Sequence, residues 1–248
     1  MLGFYGSMYA KQANNPMSAR LTLNVVKACV DTGAAKIAKN RPRPLFLTSG
    51  GDWSLQTKAK KLTKFIEGVF DQNDAHEQGT KVFVDGEVMG TGVFKMLKKV
   101  EEGRIVMERT LTDEIVVDDA DGIYGKPRQI HQRKYVDKEI LMTQFPQFKL
   151  QIEAAQGGIL KNNYQQSSVN QCLVIESWKL PSSPTAKDGR HTICIENCDL
   201  HTEIWEKSYF PFAFFRWSPK IVGFWGSGLA EELVGIQLEI NKLLRTIQ

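Results

Sequence analysis

The spacing of hydrophobic residues divides the chain into a helical beginning, a β-rich middle and a helical end. Apolar residues three and four positions apart predict one helix over residues 18–40 and a second over 54–71. Pro42 and Pro44 end the first helix, because a residue before proline is driven out of the helical region. Six apolar residues form the expected buried face of the second helix: Leu55, Ala59, Leu62, Phe65, Ile66 and Val69.

In the middle of the chain the hydrophobic period falls to two, which is typical of strands. Residues 81–89 are predicted to form two short strands around a tight turn at an Asp-Gly pair. A second hairpin is predicted from residues 93–100 and 105–111, and a further short strand at 114–117.

The second half of the chain alternates short elements with polar connections. A helix is predicted to start at residue 135 or 137 and to end near 146. Residues 150–170 are rich in Gln, Asn, Gly and Ser and are predicted to form a loop or linker. The remaining predicted elements are strands at 172–180 and 192–197, an extended aromatic segment at 203–215, a turn at 219–228 and a helix from 229 to the last residue.

These elements predict an α+β fold with N-terminal helices, antiparallel β-hairpins or a sheet, and a long C-terminal amphipathic helix. We expect an N-terminal arm at residues 1–17, an α+β domain at 18–226 and the start of a further helical region at 227–248. Apolar residues of the last helix recur at spacings of four, three, four, three and four, which is typical of packed helices. Because this pattern reaches the last residue without a capping Gly, we expect the natural chain to continue.

Charge is distributed unevenly along the chain. Residues 1–64 contain eleven Lys and Arg but two acidic residues, whereas the whole chain has a formal net charge of +4. Such a segment can bind phosphate or an acidic partner, although solvated helix faces are the preferred explanation. With no signal peptide and no apolar run of about 18 residues, we expect a protein made in the cytosol with its four cysteines reduced.

Two groups of residues have the chemistry to bind a metal ion. His191, Cys194, Cys198 and His201 follow an H-x2-C-x3-C-x2-H spacing, and all four are of zinc-ligand types. The spacing matches no known zinc finger, and strand alternation would place His191 and Cys194 on opposite faces, so a strand ending in a turn is preferred. A solvated loop is likewise preferred for five acidic residues that could bind Mg²⁺ or Ca²⁺ but lack EF-hand spacing. These are Asp113, Glu114, Asp118, Asp119 and Asp121.

Other signatures of chemistry are weak. A Gly-Gly pair precedes the second helix without a phosphate-loop pattern, and no Gly-x-Ser-x-Gly motif occurs. Aromatic residues at 205–217 could stack on single-stranded bases, but their alternation favours a strand buried on both sides. We therefore expect no catalytic, cofactor-binding or metal-binding residues and no enzymatic activity.

Two stretches resemble the portal proteins of tailed bacteriophages, through the order of scattered short motifs. The first contains, in order, Asn24-Val25-Val26-Lys27, Val30-Asp31-Thr32, Ala35-Lys36-Ile37-Ala38-Lys39, Arg41-Pro42-Arg43-Pro44, Leu47-Thr48, Gly50 with Asp52, Gly90-Thr91-Gly92 with Phe94-Lys95, Asp113-Glu114-Ile115 with Asp118, and Tyr124-Gly125. The second runs from Pro211-Phe212 through Gly223-Phe224-Trp225-Gly226-Ser227-Gly228 to Leu233, Ile236-Gln237 and Asn241. This second stretch looks like the family's aromatic-Gly-x-Ser turn that opens a helix.

The resemblance implies a structural role. Portal subunits form a ring, usually dodecameric, at one capsid vertex, where the ring nucleates shell assembly, docks the packaging ATPase and the tail, and passes double-stranded DNA. The implied partners are further copies of the chain, double-stranded DNA in transit, a major capsid or scaffolding protein, the packaging terminase and tail or head-completion proteins, without a membrane. The implied location is the virion, with assembly in the host cytoplasm.

Within that family, residues from about 20 to 226 would form the wing and the last helix would be the first stem helix. Portal proteins are longer, so the clip, the second stem helix and the tunnel-loop helix would be missing. On the stem-like helix, Leu233, Ile236 and Ile240 are the expected subunit-packing residues. The expected channel or solvent face carries Glu231, Glu232 and Glu239.

Two further hypotheses belong to other classes. The basic segment predicts a nucleic-acid-binding module that acts as a monomer through the lysines at 58–64 with Arg41 and Arg43. The acidic residues at 113–121 would suit a metal-dependent phosphoryl enzyme.

Overall fold

A computed structural model describes residues 23–99, 103–155 and 170–247 of the 248-residue chain. They form an α+β fold with N-terminal helices, antiparallel sheets and a C-terminal helix, which confirms the predicted fold class. The predicted N-terminal arm, the start of the first helix and most of the 150–170 linker lie outside the described residues. No helix within the described ranges is long and apolar enough to cross a membrane.

The described elements are numbered in chain order. The α-helices are α1 (Val25–Lys39), α2 (Trp53–Gln72), α3 (Ala75–Met89), α4 (Lys138–Gln144), α5 (Lys149–Ala154) and α6 (Leu229–Ile247). The strands are β1 (Thr91–Lys99), β2 (Arg104–Thr110), β3 (Ile115–Val116), β4 (Gln129–Asp137), β5 (Gln171–Lys179), β6 (Arg190–Ile195), β7 (Cys198–Ile204), β8 (Phe212–Arg216), β9 (Ser218–Pro219) and β10 (Gly226–Ser227). Thr112–Glu114 and Pro146–Phe148 are single 3-10 turns.

The chain divides into two compact units. The first contains the described residues up to Thr112, together with Phe212–Lys220 and the residues from Trp225 onward. The second contains Asp113–Pro211 and Ile221–Phe224. The predicted division into an arm, a domain and a terminal helix stays a prediction.

The first unit is built around α3. Strands β2, β1 and β8 form an antiparallel sheet in that order, and α3 packs against it. Helices α1 and α6 also pack against α3, so this helix has neighbours on several sides. It therefore buries polar as well as apolar residues, including Val82, Asp85 and Glu87.

The predicted hairpin at 81–89 is wrong, because these residues belong to α3. The Asp-Gly pair that suggested a turn is needed for close packing: a Cβ atom on Gly86 would lie 2.5 Å from the ring of Phe215. A Cβ on Gly92 of β1 would overlap the carbonyl oxygen of Val82. Gly90, with a φ of +85°, ends the helix in the left-handed region that favours glycine.

The second unit contains an antiparallel sheet of five strands in the order β3-β4-β5-β6-β7. Helices α4 and α5 contribute to the apolar core at this sheet, which contains Leu141, Ile152, Cys172, Val174, Ile195 and Leu200. The predictions for β5, β6 and the helix ending near 146 are confirmed. Strands β4 and β7 were not predicted, and α5 forms where a loop was expected to begin.

Candidate functional site

Helix α2 exposes much of the face that was predicted to be buried. It begins after Asp52, whose Oδ1 accepts a hydrogen bond of 2.9 Å from the backbone N–H of Leu55. Ala59 and Val69 are buried as predicted. Three large side chains on the same side are exposed, so the buried-face prediction is wrong for them: Leu55, Leu62 and Phe65, here called the α2 stripe.

Helix α6 is attached to α1 by polar side chains. Gln237 Oε1 accepts hydrogen bonds of 2.8 and 3.2 Å from the N–H groups of Val25 and Val26, and its Nε2 donates to the Leu23 carbonyl. Asn241 Oδ1 accepts a bond of 3.0 Å from the N–H of Leu23. The first N–H groups of a helix have no partner within the helix, so these amides satisfy the start of α1. The inner side of α6 is therefore fixed by Gln237 and Asn241, both buried.

Leu233, Ile236 and Ile240, which were predicted to pack between subunits, lie beside that inner side. The apolar pattern of the helix also includes Leu229, Leu243 and Ile247, and these six residues are here called the α6 seam. Leu233 and Ile240 are half-buried, whereas Ile236 is 58% exposed and Leu243 61%. The seam thus keeps a substantial apolar surface in contact with solvent.

The three acidic residues predicted for a channel or solvent face are all exposed. Glu231 accepts a hydrogen bond of 2.7 Å from Ser227 Oγ and lies 4.0 Å from Lys220 Nζ. Glu239 lies 3.7 Å from Lys242 Nζ, and Glu232 is also exposed. Such exposed pairs contribute little to stability, so these carboxylates are available to a partner or to solvent.

Helix α2 carries four lysines on its exposed side. Lys58, Lys60, Lys61 and Lys64 are exposed, and none forms an ion pair with another described residue. Arg43 lies 3.9 Å from Glu67 of the same region. This face combines positive charge with the neighbouring apolar α2 stripe.

The acidic loop after β3 is organised by its own carboxylates. Asp118 Oδ1 accepts hydrogen bonds of 2.9 Å from the N–H groups of Ala120 and Asp121. Asp121 Oδ2 accepts bonds of 2.6 and 3.0 Å from the N–H groups of Arg128 and Gln129. These carboxylate oxygens therefore accept hydrogen bonds from backbone N–H groups of the loop itself. No group of metal-binding atoms is found among the acidic residues of the described loop.

The His-Cys-Cys-His spacing does not assemble as a group of four, and the preferred interpretation of a strand ending in a turn is confirmed by β6 and the turn before β7. His191 of β6 lies opposite Trp178 of β5 and Glu203 of β7. Within the described chain, the metal-binding atoms that come within 4.8 Å of one another belong to His191, His201 and Glu203. Neither cysteine belongs to this group.

Carboxylates hold both ring nitrogens of His191. The Nε2 atom lies 2.9 Å from Glu176 Oε1, and Nδ1 lies 2.8 Å from Glu203 Oε1. The ring stacks on Trp178 at 5.0 Å with an interplanar angle of 9° and meets Trp205 edge-on at 5.8 Å. Burial lowers the pKa of His191, but the two carboxylates outweigh burial and leave that pKa raised.

The aromatic segment forms strand β8 in part. The prediction of a strand buried on both sides is wrong, because Phe212 is buried on one side whereas Phe215 on the other side is 37% exposed. Phe215 packs on Phe83 of α3 with ring centroids 5.3 Å apart. The rings of Phe212 and Phe214 contact each other, with centroids 6.0 Å apart. Lys95 and Arg216 lie over these two rings at 5.8 and 5.7 Å.

Sequence reasoning missed the residues whose roles depend on tertiary contacts. Gln237 and Asn241 lie outside the apolar pattern of the last helix, but their side chains bond to residues 23–26, more than 200 residues earlier in the chain. Glu176 and Glu203 were not considered, although a histidine two residues before Glu203 on a strand places both on one face. Compared with protein-family models and with curated proteins, the chain matches none.

Proposed function

We propose that this chain is a structural subunit of a ring, the portal at one vertex of a tailed-phage capsid. The ring would conduct double-stranded DNA during packaging and ejection and would dock the packaging motor and the tail. The order of motifs in the sequence supports this proposal. It assigns no catalytic role to the chain.

The observation that carries the proposal is the exposed α6 seam. The inner side of α6 already has its partner, because Gln237 and Asn241 bind the start of α1. Ile236 and Leu243 nevertheless remain more than half exposed on a second, apolar side. Burial of apolar area is favourable by about 25 cal/mol per Å², so this side is suited to a neighbouring subunit.

A ring also needs two different surfaces on every subunit, because its contacts are head-to-tail. The α6 seam is one candidate surface. The α2 stripe is a second, formed by Leu55, Leu62 and Phe65. Both belong to the first unit, which we propose supplies most of the ring contacts.

The exposed carboxylates of α6 fit a surface that faces DNA without gripping it. DNA phosphates attract Lys and Arg and gain affinity through counterion release. Glu231, Glu232 and Glu239 would repel phosphate at short range, which favours sliding. Lys242 and Lys220 lie close to two of them and would moderate this repulsion.

Sedimentation velocity over a range of protein concentrations tests the proposal. We expect the wild-type chain to form larger species as its concentration rises, and Ile236→Asp to shift this association to at least about tenfold higher concentration, because a carboxylate would be buried in the contact. Pairing it with Leu243→Asp should abolish association.

The matched control is Lys242→Asp, which adds a carboxylate to an exposed polar position of the same helix. It should leave association unchanged. A wild-type chain that stays monomeric at every concentration, or a control that disrupts association as strongly as Ile236→Asp, would overturn the proposal.

A second candidate function is DNA binding by a monomer, and the exposed lysines of α2 favour it. Four cations without ion-pair partners in the described chain lie on one helix. This function predicts micromolar or tighter binding of duplex DNA, with an affinity that falls steeply with salt. Charge reversal at Lys58, Lys61 and Lys64 should then abolish binding, and a flat isotherm at low salt would reject this candidate.

A further inference from the structure

We propose that His191, His201 and Glu203 form a binding site for a transition-metal ion, with Zn²⁺ as the best-fitting ion. The site lies in the second unit, on strands β6 and β7, and does not depend on the proposed ring function. Imidazole nitrogens and a carboxylate oxygen are the ligand set that zinc accepts in three-ligand sites. Of the His-Cys-Cys-His spacing in the sequence, only the two histidines take part.

The spacing of the ligand atoms suits a four-coordinate ion. Bonds of about 2.0–2.1 Å in a tetrahedron place two ligands about 3.3 Å apart. His201 Nε2 lies 3.7 Å from Glu203 Oε2, and His191 Nδ1 lies 2.8 Å from Glu203 Oε1. All three ligand atoms lie within 4.8 Å of one another, so no pair has to close by more than about 1.5 Å.

The surroundings of His191 orient its ring for this role. Glu176 Oε1 holds Nε2 at 2.9 Å, which leaves Nδ1 directed at Glu203. A carboxylate on the second nitrogen of a metal-binding histidine is a recurrent arrangement that fixes the ring and strengthens the ligand. Stacking on Trp178 further restricts rotation of the ring.

An ion can reach the site from solvent. Strand β7 is an edge strand of the five-stranded sheet. The side chains of His201 and Glu203 are 45% and 48% exposed, whereas His191 lies deeper at 11%. Binding would displace the proton shared between His191 Nδ1 and Glu203 into solvent, while the second ring proton would stay on Nε2 and be donated to the Glu176 carboxylate. One coordination position would remain for water.

Titration of the chelator-treated full chain with Zn²⁺ and Co²⁺ tests the site. We expect one equivalent to bind, with visible Co²⁺ absorption bands of a four-coordinate ion and a higher unfolding temperature. His201→Gln should weaken binding by at least about tenfold, and Glu176→Gln by about 10–100-fold through loss of the orienting carboxylate.

Two control variants test whether a histidine or a cysteine outside this site binds the metal ion instead. His131→Gln changes a histidine that pairs with Ser177 elsewhere on the sheet, and Cys198→Ser removes a thiol of the predicted spacing. Both should bind as wild type does. Circular dichroism and unfolding in chelator should show that His201→Gln folds normally, because this side chain is half exposed.

Several results would overturn the site. These are the absence of saturable binding at one equivalent, unchanged affinity in His201→Gln, or loss of binding in Cys198→Ser. Failure of the ring proposal would leave these measurements unaffected, since the variants lie outside the first unit.

Discussion

The two units of the molecule bury different kinds of side chains. Fully buried apolar residues of the second unit include large ones such as Ile130, Ile152 and Trp178. In the first unit the buried apolar residues are mostly Ala and Val, accompanied by polar groups such as Glu87 and Gln237. Several larger apolar side chains of its helices α2 and α6, such as Phe65 and Leu243, are exposed instead.

The first unit thus combines small buried apolar residues with close backbone approach and with polar contacts between its helices. Glycines permit the approach of α3 to β1 and β8, and Gln237 joins α6 to α1. Under the proposed ring function, its exposed large apolar side chains would contact neighbouring subunits. The second unit has its own apolar core and should be less sensitive to loss of a neighbour.

The substitution Gly92→Ala is expected to have the largest effect on the first unit, because it tests the close approach of α3 and β1. An added Cβ would overlap the Val82 carbonyl oxygen, and no side-chain rotation can relieve a clash with backbone. We expect a loss of about 4 kcal/mol or more in the free energy of unfolding, at the upper end for overpacked sites. Chemical denaturation measures this loss, and hydrogen exchange should show reduced protection of β1, β2 and β8 but not of β5.

Gly68→Ala is the matched control. Gly68 lies in α2, and a Cβ there meets nothing within 4 Å. Alanine should raise stability by about 0.5–1 kcal/mol, because Gly is a poor helix former. Equal losses in both variants would contradict the role given to close approach.

The second unit should respond to loss of apolar volume instead. Ile152 of α5 is 0% exposed in the core with Leu141 and Cys172. Ile152→Ala should cost about 3 kcal/mol through lost burial and a residual cavity. Leu150→Ala, at a position 78% exposed on the same helix, should change stability by less than about 0.5 kcal/mol. Similar effects of both variants, measured by denaturation, would show that α5 does not pack as described.

Local signals were enough for the elements that carry their own pattern. The periodicity of 54–71 and of 229–247 predicted α2 and α6 to within one or two residues, and capping by Asp52 agrees with the start of α2. The hairpin of β1 and β2 followed from alternation on both sides of a glycine turn. These features depend on residues close together in the chain.

The failures occurred where distant parts of the chain set the environment. Gly86 suggested a turn, but it lies within α3, where Phe215 occupies the space that a side chain would need. The apolar face of α2 was expected to be buried. Hydrophobic periodicity identifies such a face, but it does not indicate whether another element of the same chain packs against it. The metal-capable group joined His191 to Glu203 across a strand pair, which spacing along the chain could not reveal.

The last prediction concerns Glu87 and a change in the free energy of unfolding that depends on pH. This carboxyl group of α3 is 0% exposed, packs against Gly33 of α1, and has no hydrogen-bond partner among the described residues. Burial raises its pKa above the ordinary value of 4.5. A buried carboxyl without a partner favours its neutral form, so ionisation should weaken the contact between the two helices.

The raised pKa fixes the direction of the pH dependence. The folded protein holds the Glu87 proton more tightly than the unfolded chain, so stability should fall as pH rises from about 4.5 through the raised pKa and then level off. Each pH unit by which folding raises this pKa corresponds to about 1.4 kcal/mol. In Glu87→Gln, which cannot ionise, this part of the decline should disappear, so the variant should gain on wild type between pH 4 and pH 8. Urea denaturation across that range measures the difference, and parallel curves for the two proteins would show that Glu87 is solvated or paired in solution.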